Sequence, residues 1–262
     1  MDSARCIVVF PVYKPLTERE FSFFKQALRM TVGFNHVFAA PQSLSIDSPF
    51  EDLCKIVRFP DCYFESITGY NHLMLSAGFY QAFEAYEYVL IHQLDAYLFR
   101  PELEYWCNKG YDYIGAPWLK PKKRKKSPMY KFILSYFPNF YSVHKRKLVE
   151  LYNNVGNGGL SLRKVETFLK ILNQPETENI LLAYKERMIG DTLYNEDIFW
   201  SVEASRIDGD FRKPGWQEAL SFAVETYPSF AYRHTGGELP FGCHAPDKYE
   251  PEFWDKYITV DK

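Results

Sequence analysis

Short apolar runs alternate with amphipathic stretches over the first part of the chain. The runs that predict strands are CIVVF (6–10), HVFAA (36–40) and KIVRF (55–59). After the first run, Thr17 and Glu20 have the spacing of a capping box, which predicts a helix to about Met30. Such an alternation of strands and helices is typical of an α/β fold with a mostly parallel sheet.

The pattern continues with a predicted helix over residues 69–83 and a predicted strand over residues 89–99, VLIHQLDAYLF. That strand is interrupted by His92, Gln93 and Asp95. A buried and unpaired carboxylate is costly, so Asp95 should be exposed at a strand end, paired, or bound to a metal. Ligands of α/β sheets bind beyond the carboxyl ends of the strands, which is where this residue is expected.

Composition excludes several classes of protein. The chain has 262 residues and a formal net charge of -2, without the cationic excess of a general nucleic-acid binder. Its five cysteines are scattered and lack a C-x-x-C pair, which argues against a zinc knuckle and a disulfide framework and favours a reducing compartment. The apolar run before Pro11 is too short for a signal peptide or a membrane span. We therefore expect a cytoplasmic protein, either soluble or peripheral on the inner face of a membrane.

Four polar or glycine-rich stretches follow one another in a characteristic order. They are QLDAYLF (93–99), GNGGLSLR (156–163), NEDIFW (195–200) and FGCHA (241–245). This order resembles the GT-A class of nucleotide-sugar glycosyltransferases, and more closely a bacterial glycosyltransferase-like family with a domain of unknown function. The stretches correspond to the D-x-D strand end, the glycine-rich donor and acceptor loop, the E-D pair of inverting members and the late metal-binding histidine. Over most of the chain, the resemblance implies a single GT-A-like domain with a Rossmann-type mixed, mostly parallel sheet flanked by helices.

The resemblance also implies that different parts of the chain bind the donor and the acceptor. Residues 1–118 would form the nucleotide-binding half, and residues 151–262 the acceptor-binding and catalytic half. The reaction would move a sugar from a nucleotide-diphosphate donor, most simply a UDP-sugar, to a glycan or lipid-linked glycan in bacterial surface polysaccharide or lipopolysaccharide biosynthesis. Between the halves, residues 119–150 are a basic and aromatic insertion. Its segment Lys120–Lys126 carries six cations in seven positions and is either a solvated loop or a contact for anionic lipid.

A divalent cation, Mn²⁺ or Mg²⁺, is implied as the cofactor that neutralises the leaving diphosphate. The resemblance assigns its ligands to Asp95 and His244. Gln93 stands where the first Asp of the D-x-D pattern should be, so a weaker site or a metal-independent variant stays open. By themselves, Asp95 could be a salt-bridged residue at a strand end and His244 a satisfied, partly buried histidine.

Asp197 is the expected general base, with Glu196 as the alternative. A carboxylate near the acceptor hydroxyl lowers the barrier to its attack on the anomeric carbon, in a single displacement with inversion. Adjacent residues at a helix start point in different directions, so the two are not expected to share one role. Acidic residues are also common in the first turn of a helix, where they stabilise the dipole without any catalytic role.

Further residues are assigned to substrate binding. The resemblance places the base and ribose of the nucleotide at Pro11, Val12 and Tyr13. Tyr70 and Asn71 could add to that pocket, and Gln93 could bond a ribose hydroxyl. Gly158 and Gly159 suit a close backbone approach to a ligand or a positive φ. Asn157 could present its amide to sugar hydroxyls, and Arg163 could pair with a phosphate. A tight turn, a helix start and a surface arginine are the structural alternatives for these residues.

Two other functions remain open from the sequence. A sugar nucleotidyltransferase should carry a glycine-rich phosphate loop after the first strand, and the absence of glycine from residues 10–20 disfavours this function. A non-catalytic glycan- or lipid-binding protein on the same fold would tolerate Gln93 in place of an acidic residue.

Overall fold

The computed structural model describes residues 5–45, 53–120, 150–189 and 191–259. The strands are β1 (Cys6–Pro11), β2 (Asn35–Pro41), β3 (Lys55–Phe59), β4 (Tyr88–His92), β5 (Ala96–Leu98), β6 (Tyr113–Gly115), β7 (Leu160–Lys164), β8 (Ala223–Val224) and β9 (Gly242–His244). The helices are α1 (Glu18–Met30), α2 (Ile67–Met74), α3 (Ala77–Gln81), α4 (Leu103–Asn108), α5 (Val165–Leu172), α6 (Pro175–Arg187), α7 (Glu196–Ile198), α8 (Ala204–Ile207), α9 (Trp216–Phe222), α10 (Pro228–His234) and α11 (Pro251–Trp254). A π-helical segment, Phe199–Glu203, joins α7 to α8.

A six-stranded sheet with the order β3-β2-β1-β4-β7-β6 forms the centre of the fold. The first four strands are parallel, and β7 runs antiparallel to both of its neighbours. Each face carries an aromatic cluster, one around Phe24, Trp106 and Phe222 and the other around Phe168 and Trp200. Because both faces are covered, β1 and β4 are buried along their whole length. The structure confirms the predicted α/β class with a mostly parallel sheet flanked by helices.

Two predicted helices have different outcomes. Helix α1 begins with the expected capping box, in which the Thr17 hydroxyl accepts from the Glu20 amide and the Glu20 carboxylate accepts from the Thr17 amide. The single helix predicted over residues 69–83 is wrong, since the chain forms α2 and α3 instead. Ser76 separates them, because its hydroxyl donates to the Leu73 carbonyl and accepts from the Phe79 amide. A serine that bonds the backbone in this way favours a cap over a helix interior.

The strand predicted over residues 89–99 is also two elements. Strand β4 belongs to the large sheet, whereas β5 belongs to a three-stranded sheet with the order β5-β9-β8. The chain passes from one sheet to the other at Gln93, Leu94 and Asp95. Gln93 and Asp95 therefore mark a crossover between the two sheets, at which Leu94 stays in the core.

Several sequence predictions fall outside the described residues. Residues 121–149 contain all of the basic segment Lys120–Lys126 except its first residue, so the lipid-contact prediction stays a prediction. In the described part of the chain, no helix combines the length and the apolar composition that crossing a membrane requires. All five cysteines are described, and none forms a disulfide.

Candidate functional site

A cleft of about 670 Å³ opens at the carboxyl end of the parallel strands. Its walls come from the end of β1, the start of α2, the β4–β5 crossover, the loop before β7, the start of α7 and the end of β9. The predicted site residues that line it are Pro11, Tyr13, Tyr70, Asn71, Gln93, Asp95, Asn157, Gly158, Gly159, Glu196, Asp197 and His244. Val12 and Arg163 do not line it. Residues that were far apart in the sequence thus converge on one cavity, at the place where α/β folds bind ligands.

His244 is the centre of a polar cluster at one end of the cleft. Its Nε2 lies 3.1 Å from Gln93 Oε1 and 3.3 Å from Asp95 Oδ1, while its Nδ1 lies 3.2 Å from Glu225 Oε1. Burial alone would lower the pKa of His244, but the hydrogen bonds to Asp95 and Glu225 raise that pKa to about 9. Although burial works against ionisation of Asp95, His244 holds the pKa of that carboxyl below its ordinary value. The imidazole therefore lies between two carboxylates, with Asp95 beside Nε2 and Glu225 beside Nδ1.

The three-stranded sheet produces this alignment. Ala96 of β5 pairs with His244 of β9, and the Asp95 carbonyl accepts from the Ala245 amide at 3.0 Å. On the other side of β9, Val224 pairs with Cys243, so Glu225 lies beside His244. Glu225 was not among the predicted site residues. No local motif indicates it, because its position depends on the pairing of a two-residue strand.

This cluster is the part of the site that could hold a metal ion. Within the described ranges, no group of three His, Cys, Asp or Glu side chains is arranged to hold one. Asp95 and His244 nevertheless contribute a carboxylate oxygen and an imidazole nitrogen 3.3 Å apart, with the Gln93 amide oxygen 3.1 Å from the same nitrogen. These donors suit Mg²⁺ or Mn²⁺ when a substrate or water supplies the remaining ligands. The donor set therefore fits the predicted cation.

Glu196 and Arg163 form a buried ion pair beneath the floor of the cleft. The two guanidinium nitrogens lie 3.0 and 3.3 Å from the two oxygens of the carboxylate, and neither residue is more than 4% exposed. Arg163 also donates to the Tyr80 hydroxyl and the Ser161 hydroxyl at 2.9 and 3.0 Å. The expectation that Arg163 contacts a phosphate or sugar is corrected, because its guanidinium is fully buried and saturated by protein acceptors.

The two acidic residues at the start of α7 have different environments. Burial raises the pKa of Glu196, and the adjacent Arg163 opposes that shift. Asp197 lines the cleft and has no cationic partner in the described part of the chain, and its Oδ1 accepts from the Ile198 amide at 2.8 Å. Burial, followed by the nearby charges of Glu196 and Glu225, raises the pKa of Asp197 to about 7. A carboxyl group that ionises near neutral pH is suited to accept a proton in a reaction.

The glycine-rich loop owes its composition to protein neighbours. A Cβ on Gly159 would lie 2.2 Å from His244 Nε2, and a Cβ on Gly158 would lie 2.1 Å from Glu196 Oε1. Neither glycine has a positive φ; that conformation belongs to Asn157, at φ 53°. Asn157 closes the turn by accepting from the Gly159 amide at 3.1 Å. The expected close approach exists, but the glycines make room for the side chains that form the site.

The predicted nucleotide-binding residues divide into lining and supporting roles. Tyr13 is 55% exposed at the cleft, whereas Val12 is buried in the core, which corrects its assignment. The side chain of Asn71 accepts from the Glu196 amide at 2.9 Å and donates to the Ile67 carbonyl at 2.8 Å. Asn71 therefore anchors the start of α7, in addition to lining the cleft.

Comparisons with known proteins identify the fold as that of glycosyltransferases. The chain superposes on mouse xyloside xylosyltransferase 1 in its apo form with a TM-score of 0.52 and 10% identity, over 92% of this chain and 96% of that one. It superposes on a glycosyltransferase involved in glycosylation of the major capsid of PBCV-1 with a TM-score of 0.50 and 11% identity, over 97% and 98% of the two chains. The chain belongs to the family described as protein of unknown function DUF5672, whose model matches residues 53–244. No curated protein sequence matches it.

Proposed function

We propose that this chain is a glycosyltransferase that moves a sugar from a nucleotide-diphosphate donor to a hydroxyl of a glycan or glycolipid acceptor. The observation that carries the proposal is the position of Asp197, which lines a cleft of a glycosyltransferase fold and has no ion-pair partner among the described residues. Burial also raises the pKa of this carboxyl to about 7. The same cleft holds the Asp95 and His244 pair. Such a transfer requires a general base for the acceptor hydroxyl and a group that stabilises the leaving diphosphate.

In the proposed reaction, Asp197 accepts the proton of the acceptor hydroxyl as the hydroxyl oxygen attacks the anomeric carbon. The bond from that carbon to the diphosphate breaks as the new glycosidic bond forms, so the configuration inverts. Glu196 does not compete for this role, because its two oxygens are engaged by Arg163. Together with Asn71, that ion pair instead fixes the first turn of α7 and so the position of Asp197.

Asp95, His244 and Gln93 would hold the divalent cation at the other end of the site. When bound, the cation would supply a Lewis acid for the negative charge of the leaving diphosphate. Lys248 is an exposed residue of the cleft wall and adds a positive charge for the same group. Pro11, Tyr13 and Tyr70 line the cleft and are the proposed contacts of the base and ribose.

The experiment that tests the proposal is a ligand screen followed by a transfer assay. The melting temperature is measured with UDP, GDP, CDP, dTDP and their common sugars, each with Mn²⁺, Mg²⁺ or EDTA, because a ligand of the native state raises it. The donor that gives a shift is then incubated with glycan acceptors, and products are identified by mass spectrometry. Transfer supports the proposal, and an inverted anomer in the proton NMR spectrum supports Asp197 as base. Binding without turnover would favour a glycan-binding protein.

A further inference from the structure

Glu225 contacts the side of His244 that faces away from Asp95. The Glu225 Oε1 atom lies 3.2 Å from His244 Nδ1, whereas Asp95 and Gln93 both lie beside Nε2. The side chains of His244 and Glu225 are only 12% and 13% exposed. Among the described residues, no Lys or Arg lies within ion-pair distance of Glu225. Glu225 is thus a largely buried carboxylate whose ion-pair partner, among the described residues, is His244.

The backbone holds this contact in register. Strands β8 and β9 are parallel neighbours, and Glu225 directly follows β8. On the other side of β9, the pairing with β5 fixes Asp95. A carboxylate, an imidazole and a second carboxylate therefore lie in a row across three strands. Each nitrogen of the His244 ring therefore faces a different carboxylate.

We propose that Glu225 is a positioning residue that holds the proton of His244 on Nδ1 and so presents the Nε2 lone pair to a divalent cation beside Asp95. This inference deepens the proposed function and rests on it. A histidine binds a metal through a neutral ring nitrogen, and the hydrogen bond at the other nitrogen sets the tautomer and the ring orientation. Because Glu225 faces Nδ1, it acts through His244 and does not contact the cation.

Direct measurement of Mn²⁺ binding tests the inference independently of turnover. The wild-type chain, Glu225→Ala and Glu225→Gln are titrated with MnCl₂, alone and with UDP, and free Mn²⁺ is read from its electron paramagnetic resonance signal. The Glu225→Ala variant is expected to bind Mn²⁺ about 10–100-fold more weakly, the usual effect of removing such a partner. The Glu225→Gln variant keeps an acceptor oxygen for Nδ1–H and is expected to recover most of the affinity.

Glu238→Ala is the matched control, because Glu238 is 72% exposed and does not line the cleft. It should bind Mn²⁺ as the wild type does, and circular dichroism should show the same fold for all variants. Wild-type affinity in Glu225→Ala would overturn the inference, as would a Glu225→Gln variant as weak as Glu225→Ala. If the wild-type chain bound no Mn²⁺ with or without UDP, the inference would be overturned. Sugar transfer in EDTA would in that case leave the proposed transferase intact.

Discussion

At the scale of single residues, Asp197 is a carboxylate that the fold stabilises poorly and the proposed reaction requires. We expect Asp197→Asn to reduce turnover by about 10²–10⁴-fold, the usual contribution of a general base, while nucleotide binding is retained. The ordinary pKa of an aspartate is 3.8 and that of Asp197 is about 7, so the wild type loses stability as pH rises from about 4 to about 7, and the loss is complete above pH 7. The variant should therefore be more stable than the wild type by about 2 kcal/mol at pH 8, after allowance for partial solvent access.

Turnover, the dissociation constant of the donor nucleotide and the free energy of unfolding at pH 5 and pH 8 check this prediction. The exposed Asp255 provides the control, since Asp255→Asn should change none of these quantities. Full activity of Asp197→Asn would remove the residue from the mechanism.

The ion pair below the floor gives a second prediction at the same scale. Arg163→Met leaves the carboxylate of Glu196 buried without a partner, so it should lower the free energy of unfolding by about 3–5 kcal/mol. Adding Glu196→Gln removes the stranded charge and should recover part of that loss. The measurement is a double-mutant cycle in urea, with Glu196→Gln as the fourth member. Additive effects of the two substitutions would contradict a pair that acts as a unit.

At the scale of secondary-structure elements, the loop before β7 determines where the ring of His244 can lie. A methyl group on Gly159 would meet that ring at 2.2–2.6 Å, so Gly159→Ala must displace the imidazole or the loop. We expect a loss of about 1–3 kcal/mol in stability, as for other overpacked sites. We also expect weaker Mn²⁺ binding, measured by the same resonance titration as for Glu225.

Gly78 offers a matched substitution, because a Cβ there has nothing within 4 Å and the residue lies in α3. Gly78→Ala should leave Mn²⁺ binding unchanged and alter stability by less than about 1 kcal/mol, in the stabilising direction. Equal metal affinity in Gly159→Ala and Gly78→Ala would mean that the glycine does not make room for a metal ligand.

The elements that local patterns define were predictable from the sequence. Strand β3 has the predicted bounds, and the capping box of α1 is present as expected. The break at Ser76 was missed, because the apolar spacing continues across it and only a side-chain bond to the backbone interrupts the helix. The three-stranded sheet was also missed. Its strands have two or three residues, and their pairing depends on contacts between distant parts of the chain.

At the scale of the whole molecule, the order of the motifs was informative because parallel strands bring their carboxyl ends to one edge. This physical rule explains why the polar residues after β1 and β4 share a cleft, although local patterns give no distances. His244 reaches the same cleft from β9 of the three-stranded sheet. The rule could not predict in which direction each side chain of the site points. Arg163 belongs to β7 and points beneath the floor, and Glu225 enters from β8, because the partners that orient them are remote in sequence.

The core also makes the stability of the whole fold depend on pH. His92 is fully buried at the end of β4 against the ring of Phe10, with centroids 5.2 Å apart. Burial lowers the pKa of His92 to about 4, and burial also lowers the pKa of His36 on β2 to about 4. Because the unfolded chain takes up these protons near pH 6.5, stability should fall as pH decreases from 6.5 toward 4. His244 acts in the opposite window, since its stabilising contribution is lost as pH rises through about 9.

A substitution can isolate the contribution of His92 to this acid sensitivity. His92→Phe keeps an aromatic ring against Phe10 and has no proton to gain, so it should be more resistant to acid than the wild type. We expect the difference between the unfolding free energies at pH 7 and pH 5 to shrink by about 2 kcal/mol. Urea titrations at the two pH values measure it, with the exposed His234→Gln as control. If the unfolding free energies of the wild type and His92→Phe changed equally between pH 7 and pH 5, His92 would not be the source of the acid sensitivity.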